Sequence, residues 1–140
     1  ELYLIKIRKQ GVAKMTRDEI ARDINANIKG ISRQIQVDYL LEYEEGQIID
    51  DQGQSWTDGG EFRVENPAEY TYILSCVNEC PCHVVDYSNA EELYALAADD
   101  CEREKEVLVP SDTKFRVTYV APAGDMKEMG FITVELEYVK

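Results

Sequence analysis

Basic residues are scarce in this chain of 140, with 15 Lys and Arg against 28 Asp and Glu and a formal charge of −13. Each phosphate contact on a nucleic acid calls for a Lys or Arg, and the longest basic run is Arg8-Lys9, so the composition argues against nucleic-acid binding. A surface this negative favours a basic partner or serves solubility alone. No apolar run approaches ~18 residues, so no stretch reads as a membrane-spanning helix. Residues 1–15 carry Lys6, Arg8, Lys9 and Lys14 but lack the apolar core and small-residue cleavage site of a signal peptide, which leaves a mature secreted chain open. Internal repeats and low-complexity tracts are missing too. Histidine occurs once, as His83, and a lone histidine is more often structural than catalytic.

What is present is ordinary globular material. The hydrophobic share is 44%, near the ~45–50% of folded chains, so the acidity does not signal disorder. At roughly 150 residues per domain, residues 1–140 form one domain, and a chain of that size buries about 68–70% of its extended surface. Leu2–Arg8 reads as a strand closed by Gly11. Thr16-Arg-Asp-Glu19 has the capping-box pattern, and Ile20, Ile24 and Ile28 recur at helical spacing, predicting a helix from Thr16 to Ile28 that ends at Gly30. Short strands are expected at Ile31–Ile35 and Gly46–Asp50, then a glycine-rich turn through Asp50–Gly60. Tyr70–Cys76 and His83–Tyr87 read as strands about a Cys/Pro turn. Ser88-Asn-Ala-Glu91 opens a second helix with Leu93, Leu96 and Ala97 on one side. Three late strands follow, at Glu106–Val109, Phe115–Val120 and Phe131–Val139, joined by a Pro110–Asp112 turn and a loop holding Pro122 and Gly124. The sum is an α+β domain with helices weighted to the first two thirds and an antiparallel sheet at the end.

Two groups of residues carry chemistry. In Glu102-Arg-Glu-Lys-Glu106, a strand that begins early puts Glu102, Glu104 and Glu106 on one face, where like charges repel and raise one another's pKa. That cost is sensible if the carboxylates act on something; a solvated helix end with Arg103 and Lys105 interleaved is the plain alternative. Cys76, Cys80, Cys82 and Cys101 admit buried free thiols, two disulfides or a zinc site, although Cys-x3-Cys-x-Cys lacks the usual paired Cys-x2-Cys spacing.

The run Glu104-Lys-Glu106-Val-Leu-Val-Pro-Ser-Asp-Thr-Lys-Phe-Arg-Val117 closely resembles the Glu-x-Glu segment of mono-ADP-ribosyltransferases of the Arg–Ser–Glu class, a family of bacterial toxins, phage proteins and vertebrate surface enzymes. Upstream, Glu45-Gly-Gln-Ile-Ile-Asp-Asp-Gln-Gly-Gln-Ser-Trp-Thr57 resembles the family's path from a glycine-led strand to its Ser-x-Ser/Thr motif. The likeness runs from about Glu45 to Val139, and Tyr72-Ile-Leu-Ser75 falls where the family has its next core strand. The family's early arginine is matched by Arg33 or by Arg8, without the Arg-Gly pair that often marks it.

The resemblance implies a single ADP-ribosyltransferase-like domain of two facing, antiparallel-rich sheets. It implies NAD as substrate and a protein acceptor, with arginine suggested by the Glu-x-Glu form. Glu106 takes the catalytic role and Glu104 directs the acceptor. Arg33 or Arg8 pairs with the NAD phosphates, while Ser55 and Thr57 supply the motif's hydroxyls, Ser55 holding Glu106. No metal is implied. Tyr and Trp side chains nearby are candidates to stack on nicotinamide or acceptor; Tyr94 falls in the acceptor-recognition region, with a core tyrosine as the plainer reading. The implied setting is a secreted toxin or effector domain acting in a target-cell cytoplasm. An inactive interaction module of the same fold and an NAD glycohydrolase are the alternatives.

Overall fold

The computed structural model describes residues 15–50, 55–60, 62, 68–97 and 102–140. The expected first strand with Arg8, and Cys101, lie outside the described residues. The elements in chain order are α1 (Arg17–Ala21), β1 (Ala26–Lys29), β2 (Ser32–Val37), β3 (Ile48–Ile49), β4 (Ser55–Thr57), β5 (Tyr70–Cys76), β6 (Glu79–Val84), α2 (Ala90–Ala95), β7 (Glu106–Leu108), β8 (Lys114–Val120), α3 (Asp125–Met129) and β9 (Ile132–Val139). The strands form one mixed sheet in the order β1-β6-β7-β4-β2-β5-β9-β8-β3. Strands β5 and β9 run parallel and the other described pairs are antiparallel, so the chain is α+β with hydrogen bonds joining all nine strands rather than two separate ladders.

Period-two burial builds the larger core. Tyr72, Leu74 and Cys76 alternate inward along β5, Phe115 and Val117 along β8, and Ile132, Val134 and Leu136 along β9. Together with Ile31, Trp56 and Val107 they make one continuous apolar cluster, each such side chain contributing about 1.5–3 kcal/mol by leaving water. Trp56 packs on Phe115 with ring centroids 5.0 Å apart and is 2% exposed, so it belongs to this core and is not a stacking surface for a ligand. A second, smaller cluster joins Ile20 and Ala21 of α1 to Val85, Leu96 and Leu108, docking the helix beside β7.

Several expectations from the sequence are corrected. The helix predicted over Thr16–Ile28 stops at Ala21, although its capping box at Thr16 forms as expected. Its second half becomes β1, paired with β6 from Ala26 opposite Cys82 to Lys29 opposite Glu79. Asn25, Asn27 and β-branched Ile28 are mediocre helix formers, so long-range pairing outweighs their helical spacing. Strand β6 spans the Cys/Pro segment itself, with Pro81 opposite Asn27 of β1 and ahead of the His83–Val84 stretch that pairs with β7, so a ladder runs along only one side of Pro81 and its missing N–H is tolerated. Asn89, not Ser88, caps α2 by accepting from the Glu92 amide, and Ala97 lies beyond the helix. Helix α3 fills the loop before β9, and β7 pairs with β4 and β6 instead of joining β8. Tyr94 is 77% exposed and so is not a core residue. Cys76, Cys80 and Cys82 are buried thiols without a disulfide, and the described residues hold no metal-binding cluster.

Candidate active site

Strands β2, β4 and β7 are neighbours and carry the sequence-predicted site residues Arg33, Ser55 with Thr57, and Glu106 respectively. Ser32 opposes Thr57, so Arg33 comes one step further along the ladder, and its long side chain donates from Nη1 to the Ser55 carbonyl at 2.8 Å. Ser55 and Thr57 leave β4 on the same face, and Thr57 lies opposite Glu106. The Ser55 hydroxyl donates to Oε2 of Glu106. Arg33, Ser55 and Glu106 are thus joined by hydrogen bonds across three strands.

Among the described residues Arg33 pairs with no carboxylate. Burial chiefly, with the nearby charge of Arg17, lowers its pKa from the ordinary arginine value, while Tyr43 acts in the opposite sense. An arginine remains charged at neutral pH all the same. Its Nε is buried and has no hydrogen-bond partner among the described residues. A buried donor left unmade costs about 1–3 kcal/mol, which an anion reaching Arg33 recovers.

Glu106 opens β7, as the family pattern implies, but the alternation expected through Glu102 and Glu104 does not occur. Glu102–Glu104 form a 3₁₀ turn, and Lys105 takes a left-handed conformation with φ 45°. The three acids therefore do not share one strand face. Crowded carboxylates favour this outcome, because a turn separates charges that a pleat would align. The turn is laced to the exit of β4: the Thr57 hydroxyl donates to the Glu104 carbonyl, the Gly60 amide donates back to Thr57 Oγ1 at 2.8 Å, and the Asp58 amide donates to the Lys105 carbonyl at 3.0 Å. Thr57 is 6% exposed, so its hydroxyl is engaged with the acidic turn and is not presented to a ligand. Gly60 is required by this close approach, since a Cβ there would land on the Glu104 carbonyl.

Three participants escaped the sequence. Arg17 of α1 donates from Nη2 to Glu106 Oε2 at 2.8 Å and from Nη1 to the Leu96 carbonyl at 3.1 Å. The Tyr87 hydroxyl accepts the Glu106 amide at 2.9 Å. Gly60 is the third; its place in a Gly-Gly pair was the one visible signal. A cleft of about 460 Å³ beside Tyr43 and Tyr72 is lined by none of Arg33, Ser55, Glu104 or Glu106.

His83 steadies the neighbouring strand and takes no part in this cluster. Its Nδ1 meets the Asp23 carbonyl at 2.8 Å and its Nε2 meets Glu92 Oε1 at 2.8 Å, so an imidazolium satisfies both acceptors. Burial works against the charge, but hydrogen bonds to Glu92 and Asp23 outweigh it and raise the pKa from its ordinary value. The resulting stabilisation is complete below about pH 6.5, the free histidine value, and is lost as pH climbs through the higher folded value. In Glu92→Gln the Asp23 contacts alone oppose burial, so thermal melts across that window should show the wild-type decline reduced. An equal decline in both proteins contradicts the assignment.

No protein-family model and no curated protein matches the chain. Solved structures that superpose on it include ADP-ribosyltransferases. Vis toxin, an ADP-ribosyltransferase from Vibrio splendidus, aligns at 16% identity with a TM-score of 0.48, covering 80% of this chain and 48% of that one. The type III effector XopAI from Xanthomonas axonopodis pv. citri aligns at 14% identity and a TM-score of 0.48, covering 81% and 43%. C3larvin toxin, an ADP-ribosyltransferase from Paenibacillus larvae, aligns at 14% identity and a TM-score of 0.49, covering 96% and 72%. The chain spans about half the length of the Vis and XopAI structures.

Proposed function

We propose that this chain is an NAD-dependent mono-ADP-ribosyltransferase that moves ADP-ribose from NAD to a protein acceptor, with arginine as the acceptor residue. The observation that carries the reading is the hydrogen-bonded run from Arg33 through Ser55 to Glu106 across β2, β4 and β7. Breaking the bond from nicotinamide to ribose builds positive charge on the sugar, as in glycoside hydrolysis. A fixed carboxylate stabilises that charge and, by accepting the 2′-hydroxyl, orients the ring, which is the role given to Glu106. Arg33, half-buried and without a counter-ion among the described residues, takes the NAD diphosphate. Glu104 directs the incoming guanidinium and accepts its proton, so nicotinamide leaves with the electrons of the broken bond and the acceptor nitrogen forms the new one. Thr57 and Gly60 hold the turn that carries Glu104. A secreted toxin or effector acting in a target-cell cytoplasm is the proposed setting.

Nicotinamide release from NAD by the purified chain tests this reading. Arg33→Met should raise KM for NAD by roughly 10-fold or more, the loss of a charge-assisted hydrogen bond, with a smaller change in kcat. An unchanged KM removes Arg33 from the substrate site.

A further inference from the structure

Arg17 lies 89 residues from Glu106 in sequence, yet their side chains meet as an ion pair of 2.8 Å, 37% and 14% exposed respectively. Its position is built in, not left to a mobile side chain. The capping box at Thr16 fixes the start of α1. Ile20 and Ala21 bury against Leu108, two residues along from Glu106. The helix is then tied to the turn after β7: Asp18 accepts the Ser111 amide at 3.0 Å, and Arg22 bridges Asp18 at 2.7 Å and Asp112 at 3.2 Å. The Leu96 carbonyl takes the other terminal nitrogen of Arg17, so the guanidinium plane is held at two points.

The consequence falls on one oxygen. Arg17 and Ser55 both donate to Oε2 of Glu106, and Oε1 accepts no hydrogen bond from the described residues. Ser55 is neutral and sets direction only; Arg17 adds the counter-charge that a largely buried carboxylate requires. We propose that Arg17 is a positioning residue for the transfer reaction, pinning Oε2 together with Ser55 so that Oε1 is the oxygen turned to the ribose 2′-hydroxyl of NAD. The inference rests on the ADP-ribosyl-transfer reading above. It assigns Arg17 no contact with NAD.

The test compares wild type, Arg17→Met and Arg17→Lys by kcat and KM for nicotinamide release, with thermal melts alongside. Methionine keeps the length of the side chain and removes both charge and donors. The expected result is a kcat lowered roughly 10–100-fold in Arg17→Met, the cost of a misplaced catalytic group, with KM for NAD within about 2-fold and a near-unchanged Tm. Arg17→Lys, which keeps the charge on a single donor nitrogen, should recover at least part of the lost kcat. If Arg17→Met melts early, Arg17→Gln takes its place in the comparison with lysine. An unchanged or raised kcat overturns the proposal, as does a loss confined to KM or a lysine variant no better than the uncharged one. Wild type that releases no more nicotinamide than Glu106→Gln overturns the functional reading, and this inference falls with it; normal wild-type release untouched by Arg17→Met overturns this inference alone.

Discussion

Glu106→Gln should lower nicotinamide release by on the order of 10²–10³-fold or more, the scale of losing a preorganised electrostatic partner of the transition state. Glutamine keeps the volume of the side chain and an oxygen that Ser55 and Arg17 can still donate to, so the fold around β7 has no reason to change. In the proposed reaction, what disappears is the negative charge facing the sugar as positive charge develops on it. Glu104→Gln should behave differently. Glu104 sits on the 3₁₀ turn ahead of the strand, and the structure uses its backbone carbonyl, not its carboxylate, to hold Thr57. Its loss should therefore remove transfer to a guanidinium acceptor while sparing hydrolysis of NAD. Parallel measurement of nicotinamide and of modified acceptor separates the two, and equal losses of both activities in both variants would sink this division of roles.

Gly60→Ala is expected to have the second large effect, at a position with no chemistry of its own. The new methyl group meets the Glu104 backbone carbonyl and the Thr57 hydroxyl, neither of which is the free end of a flexible side chain. The 102–105 turn must move, and overpacking of this kind costs about 1–3 kcal/mol. For a chain of this size that lowers Tm by on the order of 3–10 °C. Because the displaced group carries Glu104, transfer to an acceptor should fall further than hydrolysis of NAD. Gly59→Asn is the control: Gly59 has φ +71° with open space around it, and asparagine tolerates that conformation. A Gly60→Ala protein with wild-type Tm and wild-type transfer contradicts the close approach on which the turn depends.

Much of the sheet was legible because its strands announce themselves locally. Tyr70–Cys76, Phe115–Val120 and Phe131–Val139 combine β-branched and aromatic residues with period-two burial, and the structure places strands there within a residue or so at each end. Glu106 was legible as a strand opener through the Glu-x-Glu resemblance. Elements decided by partners distant in sequence were not. Ile20, Ile24 and Ile28 have helical spacing, yet only Ile20 is buried by the helix, Ile24 is 42% exposed and Ile28 pairs with Cys80. The ladder to β6 made that choice, and no local pattern near Ile28 records it.

The site divides in the same way. Ser55, Glu106 and, with Arg8 as its rival, Arg33 were singled out through motif order, and the strand order β7-β4-β2 then explains why Arg33, Ser55 and Glu106 meet although far apart in sequence. Arg17 was invisible because it occupies an ordinary first-turn position of an ordinary capped helix, and only the packing of Ile20 and Ala21 brings it to Glu106. The role of Gly60 appears only once the backbone of Glu104 is seen beside it. Thr57 was singled out with Ser55 for its place in the hydroxyl pattern, but burial turns its hydroxyl toward the acidic turn.

The most direct test of the central claim is nicotinamide release from NAD by wild type and Glu106→Gln, with and without agmatine as a free guanidinium acceptor. The account predicts release that depends on Glu106, rises with agmatine and yields ADP-ribosylated agmatine. Equal release by the two proteins, or none from either together with no NAD-dependent shift in Tm, would contradict it.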